Sequence, residues 1–500
     1  MLVNQSRIKW YKELCEKCDI ILHKSSSNVR MSISALHVLN EHPSNLAKYS
    51  ALVNSKLKLN KSFKSALIQI KELLNSIKYK KLIKAGCKID ETSVVFISHL
   101  LNPSQIGKED FYFGDLPELL SNAGFPSNII LTNNTRLNFN GFVSGLWKEN
   151  MQKRIILKKV LSIKNEFKIR RLLNKENRIL KKELNDIQDP LLNFFYKFAI
   201  KESHSYESIA TLRFYFQIKV LLSKLRPKVL ILTYEGHAWE RLAFAAAREI
   251  LPKVKCIGYN HTINFPLQHA SLRLLGKNFD PDIIYTAGNI TKQQFQDSFS
   301  KTNIKIETIG IHRRITSETP KIDFFNKKPV CLVLPDGIVS EVLFLFDFVI
   351  LAANRQKSIK YIFRLHPIIS LKSLKEKYKI FNNIPSNVEF STANLLDDFN
   401  NSRWVLYRGS NSAIYSVIYG LRPFYVQMRD ELPIDSLYNL NTWKKSIANI
   451  EQFINFAMND LNLSESVLTE ESKEAIHYCN NYFTPLNFNN VLKDLININE

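Results

Sequence analysis

No stretch of this chain stays apolar for the roughly 18 residues a helix needs to cross a bilayer, so no membrane-spanning helix is expected. The first residues, MLVNQSRIKWYKELCEKC, contain no continuous apolar run of the kind a secretory signal carries, and none is expected there. Cysteine is scarce: six residues, at 15, 18, 87, 256, 331 and 479, are too few for a disulfide framework in 500 residues. A reduced, cytoplasmic setting follows. Cys15 and Cys18 form a CxxC, but no second CxxC or HxxxH completes a zinc site, which leaves two turn-neighbours on a helix. No period of about 20–50 residues repeats, which excludes solenoids and propellers. Acidic residues are also short, 46 against 69 Lys and Arg, a net charge of +23. Such an excess calls for an anionic partner: nucleic acid, a negatively charged membrane surface, or phosphorylated substrates.

What is present is a foldable chain. Hydrophobic residues at 45% and charged residues at 23% are ordinary for a globular protein. A length of 500 exceeds what one hydrophobic core usually supports, so more than one domain is expected. Residues 1–85 read as a helical region, with apolar residues at helical spacing in SALIQIKELLNSIKYKKLI. From 86 the pattern alternates. TSVVFISHL (92–100), IILT (129–132), PKVLILTY (227–234), VKCIGYNHT (254–262), PDIIYTAG (281–288) and IKIETIG (304–310) read as strands, with helices at 115–125 and 237–250 between them.

After a Lys- and Pro-containing linker at 317–329, a second alternating series begins. VCLVLPDG, KYIFRLHP, NVEFST, RWVLYRGS and RPFYVQM read as strands, with helices over SEVLFLFDFVILAANRQ and NSAIYSVIYG. The expected fold class is α/β: two Rossmann-like domains, 86–316 and 317–480, facing a cleft, with a tail at 481–500. Residues 151–187 have helical periodicity, no Pro or Gly, and a heavy excess of Lys and Arg. They read as a basic helical insertion, either simply solvated or a surface that meets anionic lipid or a lipid-linked phosphate acceptor.

Three strand-end turns in the second half suggest an anion site. Arg408-Gly409-Ser410-Asn411-Ser412 joins a buried strand to a helix, where small and hydroxyl residues leave backbone N–H groups aimed outward and the helix dipole favours negative charge. Capping explains one serine but not the whole Gly-Ser-Asn-Ser run behind a basic residue. His366, before Pro367, is held extended at the end of a neighbouring strand and can donate to, or protonate, a leaving phosphate. Asp336, Gly337 and Ser340 follow a third strand, with Glu341 in the first helical turn. Arg313, Arg314, Arg364 and Arg408 are candidates to neutralise a phosphate or an acidic sugar.

In the first half, Glu235 ends a strand next to Gly236 and is placed as a general base for an acceptor hydroxyl; a helix-dipole role is the bland alternative. His237, Trp239 and Asn260-His261-Thr262 share that edge, and His99 and Asp110 flank a loop on the acceptor side. Asp280-Pro281-Asp282 matches a DxD metal motif in name, but it lies at a strand entry and reads as turn chemistry. No obligatory metal is expected.

Glu235-Gly236, His366-Pro367 and Ser410/Ser412, in this order, resemble the acidic-Gly, HP and Ser motifs of GT-B bacterial glycosyltransferases that use CMP-activated acidic sugars, the sialyltransferases and capsule-type Kdo transferases. YEGHAWERLAFAAARE, IGYNHT, PDGIVSE, FRLHP and YRGSNSAIYSVIYGLRPFYV look more broadly like a surface-carbohydrate biosynthesis family, over about residues 90–430. The resemblance implies a nucleotide-sugar donor in the second domain and a glycan or lipid-linked acceptor in the first. Glu235 would be the base, His366 would bind or protonate the cytidylate phosphate, and Ser410 and Ser412 would hold it. Tyr234-Glu235 replaces a pair of acidic residues and Ser-Asn-Ser replaces paired serines, which leaves the donor sugar open. The expected protein is a glycosyltransferase at the cytoplasmic face of a membrane, building capsule, O-antigen or a related glycan without a cofactor. A CDP-polyol phosphotransferase, a UDP- or GDP-sugar transferase and a non-catalytic basic scaffold are the alternatives. Nucleic acid is not expected as a partner, since the basic helices carry no RNA-binding aromatic motif.

Overall fold

The computed structural model describes residues 5–38, 41–43, 46–47, 49–50, 63–77, 91–135, 154–312, 322–324, 327–429 and 431–499. Strands β1 (Val94–Leu100), β2 (Ser127–Asn133), β3 (Arg154–Ile156), β4 (Val229–Thr233), β5 (Lys255–Asn260), β6 (Ile283–Thr286) and β7 (Lys305–Thr308) form one sheet, in the order β3-β2-β1-β4-β5-β6-β7. Strands β8 (Val330–Leu334), β9 (Lys360–Phe363), β10 (Val388–Phe390), β11 (Trp404–Tyr407), β12 (Arg422–Val426) and β13 (Lys445–Ile447) form the other, in the order β10-β9-β8-β11-β12-β13. Every neighbouring pair is parallel.

Strands such as VLILT and VCLVL are buried at every position because helices cover both faces of each sheet. These are two Rossmann-like units, as expected of the α/β reading. In each sheet the order reverses once, between β1 and β4 and between β8 and β11. Diverging helices open a crevice outside the carboxyl ends of those strands. The Glu235 turn follows β4 and the Gly409 turn follows β11, so both candidate turns lie at a reversal point.

The pattern missed two edge strands. Residues 154–156, inside the segment read as a basic helical insertion, pair with β2 as β3, and the helix begins only at Ile163. A three-residue strand is too short to mark its own period beside a long helix. β13 was unmarked for the same reason. Residues 481–500, read as a tail, carry the helix Phe488–Asn499, which returns to the first sheet. Thr484 N–H donates to Ala287 O at 2.9 Å and Asn487 N–H to Ile309 O at 2.7 Å. One apolar cluster runs from Val94, Phe96 and Ile257 through Tyr482 and Leu495 to Leu332 and Val405, so both sheets share a core.

The N-terminal helices belong to the first domain's core. Gln5–His23 buries Leu14, Cys15, Cys18 and Ile21 against it, with the two cysteines one helical turn apart. The helix Ile163–Leu184 turns Glu166, Ile169, Leu173, Glu176 and Leu180 inward and its lysines and arginines outward, except Arg170, which is half-buried and pairs with Glu166 at 3.2 Å. The inward acids are claimed by arginines. Arg30, 0% exposed, pairs with Glu176 at 2.6 Å and Glu183 at 3.0 Å, and Arg213 pairs with Glu166 at 2.6 Å and Glu72 at 2.9 Å.

Removing one member of such a group strands a buried charge. Arg30→Met is expected to lower the unfolding free energy by about 3–5 kcal/mol in urea titration, whereas Lys175→Ala on the outer face changes it by less than about 0.5 kcal/mol.

Candidate active site

The β1–β4 reversal gathers four of the expected residues. His99 is the next-to-last residue of β1, Glu235 follows β4, His261 follows β5, and His237 is the N-cap of the helix Ala238–Ile250. The Glu235 carboxylate lies 3.5 Å from His237 Nε2 through one oxygen and 3.6 Å from His261 Nε2 through the other. His99 is held by Thr132 Oγ1 on Nδ1 at 2.5 Å and by Thr233 Oγ1 on Nε2 at 3.3 Å. Aromatic rings set the imidazoles: Trp239 lies 5.1 Å from His99 and Tyr112 lies 4.4 Å from His261, both edge to face. All of these line a cavity of about 670 Å³, whose far wall is Leu157–Lys159 and the helix Tyr206–Leu225.

Glu240 makes this turn, and the sequence reading missed it. Its carboxylate accepts the backbone N–H groups of Glu235 at 2.9 Å, Gly236 at 2.7 Å and His237 at 2.9 Å. The turn's donors are therefore consumed internally, and no phosphate is needed there. The signal was present: a Glu three residues after an N-cap is the reaching-back half of a capping box. Gly236 does admit a close neighbour, but the neighbour is protein. Its φ is +88°, and a Cβ would fall 2.2 Å from the Ala270 carbonyl carbon.

The electrostatics follow from this packing. Burial pushes the Glu235 carboxyl up, but the His237 hydrogen bond and the charges of His261, His237 and His99 outweigh it and hold the group down at about 2. Burial lowers His237, yet its bond to Glu235 and the charges of Glu240 and Glu235 leave it above its ordinary value. For His99, burial comes first and the neighbouring histidines add to it, down to about 4. Glu240 is pushed up to about 7, chiefly by burial. Near neutrality this leaves a permanently ionised Glu235 beside a histidine whose charge depends on pH.

Asp110 does not join them. It is buried, and one oxygen accepts Ser98 Oγ at 3.0 Å and the N–H groups of Tyr112 and Phe113 at 2.9 Å. Asp110 shapes the loop that presents Tyr112 rather than facing the cavity.

The β8–β11 reversal gathers a second group. A Cβ on Gly409, where φ is +63°, would come 3.4 Å from the Asp336 carboxylate, and one on Gly337 would come 3.2 Å from His366 Nδ1. Asp336, Gly337, His366 and Gly409 are therefore neighbours. His366 and Pro367 are exposed on the loop after β9. The N–H groups of Ser410, Asn411 and Ser412 have no protein acceptor among the described residues, and neither serine hydroxyl is engaged. Ser410 and Ser412 are half-buried and Asn411 is exposed, so the turn offers its donors outward.

Three arginine and acid assignments do not survive. Arg408 is 0% exposed and pairs with Glu341 at 2.6 Å and Glu431 at 2.5 Å beneath the turn. Neither Arg408 nor Glu341 has charge left for a ligand; the pair braces the turn from below. Arg364 directs Nη1 to Asp398 at 2.7 Å and Ser391 Oγ at 3.1 Å, on the β10 side of β9 and away from the reversal. Arg313 and Arg314 lie outside the described residues.

His42, from the N-terminal region, was not anticipated. It is buried with Nε2 3.6 Å from Asp336, while the preceding Glu41 accepts the first-domain Leu267 N–H at 2.7 Å. No local pattern announces a contact made across nearly 300 residues of chain.

Among the described residues, those that line the cavity around Glu235 all belong to the first domain, and none of the second group is among them. Asp280 and Asp282 serve the backbone and arginines, accepting Gly276 N–H at 2.8 Å and Cys256 N–H at 2.8 Å respectively, as turn chemistry requires. Among the described residues no cluster of three or more His, Cys, Asp or Glu is arranged to hold a metal ion.

No protein-family model matches the chain, and no curated protein matches it. Solved structures do. The chain is similar to the glycotransferase of kitacinnamycin (12% identity, 81% of this chain and 99% of that one, TM-score 0.47). It is also similar to S. aureus MnaA solved with UDP (11% identity, 81% and 97%, TM-score 0.46) and to UDP-N-acetylglucosamine 2-epimerase from Rickettsia bellii (11%, 82% and 98%, TM-score 0.44).

Histidine titration by NMR checks the electrostatics. One imidazole, His237, is expected to titrate above the ordinary histidine range and another, His99, at about 4. Glu235→Gln is expected to bring the His237 midpoint down, because it removes the partner that stabilises the imidazolium.

Proposed function

We propose that this protein is a GT-B glycosyltransferase that moves a sugar from a nucleotide-sugar donor, held by the second domain, to an acceptor hydroxyl in the first-domain cavity. The observation that carries this reading is a contrast between the two reversal points. One turn consumes its own N–H groups and presents an ionised carboxylate among histidines; the other leaves three N–H groups and two hydroxyls open to an anion.

In this mechanism the acceptor hydroxyl donates to Glu235 as its oxygen attacks the anomeric carbon. The bond from that carbon to the donor phosphate oxygen breaks, and the charge that develops on the phosphate is received by Ser410, Asn411 and Ser412. His366 supplies a further hydrogen bond or the proton. A carboxyl held at about 2 is a weak base while its histidines are charged. Its basicity rises as His237 loses its proton, so turnover is expected to climb with pH through the His237 transition rather than through the ordinary carboxyl range.

The order of the Glu-Gly, His-Pro and Ser motifs supports a CMP-activated acidic sugar, of the sialic-acid-like or Kdo type, as donor. It also supports a surface glycan or its lipid-linked precursor as acceptor, and catalysis without a metal at the cytoplasmic face of a membrane.

Calorimetry with CMP, CDP, UDP and GDP tests the donor half, with CMP expected to bind best; failure of all four to bind would sink the proposal. The double substitution Ser410→Ala, Ser412→Ala is expected to weaken nucleotide binding about tenfold. Glu235→Gln is expected to leave nucleotide affinity intact and lower turnover by about 10²–10⁴-fold.

A further inference from the structure

Two helices that pack on one another at the outside of the first domain, Phe63–Ile77 and Ile163–Leu184, present a face that the transfer chemistry leaves unused. Their acids are turned inward: Glu72 and Glu166 both pair with Arg213, and Glu176 with Arg30. On the first helix Ile70, Leu74 and Ile77 are 54%, 59% and 68% exposed. Spaced i, i+4 and i+7, they form one apolar stripe. On the second, Lys164, Lys168, Arg171, Lys175, Arg178 and Lys182 are exposed, opposite the buried Ile169–Leu173–Leu180 side. Phe167, 59% exposed, and Ile179, 39% exposed, interrupt that basic row.

We infer that this two-helix face docks the protein on an anionic lipid bilayer. The apolar stripe, with Phe167 and Ile179, enters the boundary between headgroups and acyl chains, while the basic row meets lipid phosphates. Charge decides the partner. A chain carrying +23 that neutralises its local acids internally, with Arg170 spent on Glu166, shows those six exposed cations to the outside with no ion pair among the described residues. Apolar residues decide between polyanions. A nucleic acid would engage the lysines and leave Ile70, Leu74 and Ile77 in water, whereas a bilayer takes both.

The docking surface also adjoins the cavity. Lys158 and Lys159 in the cavity wall lie just before the second helix, and Arg213 in the same wall holds both helices. Bilayer contact on this face therefore brings the cavity beside the headgroups, which suits an acceptor carried on a lipid. That last step rests on the transferase reading; the docking itself does not.

Flotation of the full chain with vesicles, without any nucleotide present, tests it. Binding is expected to vesicles of phosphatidylcholine with phosphatidylglycerol, with little to phosphatidylcholine alone, and to weaken as salt is raised. Leu74→Asp, and separately the triple substitution Arg171→Glu, Lys175→Glu, Arg178→Glu, are each expected to lower the partition coefficient roughly tenfold or more. Both variants should keep the wild-type melting temperature and nucleotide affinity, since all four residues are exposed. The inference is overturned by equal binding to neutral vesicles, by wild-type binding of both variants, or by binding to RNA without binding to either vesicle. Nucleotide calorimetry on the same preparation reports separately on the transferase reading.

Discussion

Each helix that leaves the carboxyl edge of a parallel sheet begins with backbone N–H groups that the helix itself cannot satisfy. How those groups are answered divides this protein into two kinds of site. After β4 the answer is internal: Glu240 reaches back over three of them, closes the turn, and sets Glu235 and His237 side by side. After β11 the turn is left open, with Ser410, Asn411 and Ser412 offering donors outward above a buried Arg408–Glu341 pair. The same topology thus yields a carboxylate-and-imidazole cluster in one domain and a turn with unengaged donors in the other.

Charge is sorted by depth. Arg30, Arg213, Arg403 and Arg408 are buried and paired, tying distant segments together: Arg403, for example, meets Asp460 at 2.6 Å. Such pairs contribute little net stability, but they tolerate no missing partner. Lysines remain largely at the surface, where the long stem and hydrated ammonium are accommodated without a partner. The excess of positive charge is consequently a surface property, and on Ile163–Leu184 it is gathered on one face.

Most of the fold was legible because parallel strands are buried on both faces and read as short apolar runs, bounded here by turn residues. FRLHP, YRGS and LTYEG mark strand ends as plainly as strands, and these ends are where the candidate residues lie. Legibility failed where an element was too short to show a period, as in β3 and β13, or where a side chain's role depended on a partner far along the chain. Arg408 looked like a phosphate ligand because nothing nearby in sequence shows Glu341 and Glu431 closing over it. Asp110 looked like a residue that faces the acceptor because its hydrogen bonds to Ser98, Tyr112 and Phe113 are made by the local curl of the loop, which residue type alone does not specify.

The sequence by itself determined the α/β alternation, the place of each strand-end turn and the excess of positive charge, since these depend on local periodicity, turn chemistry and summed charge. Only the tertiary structure decided which residues at those turns are available. His99, His237 and His261 converge on Glu235 because β1, β4 and β5 are neighbours in the sheet, and that adjacency places residues more than 130 apart in one cavity. Burial then removed Arg408, Glu341 and Asp110 from the surface, and brought His42 to Asp336. Proximity and desolvation are properties of the packed chain, and a side chain's charge, its partners and its access to a ligand depend on both.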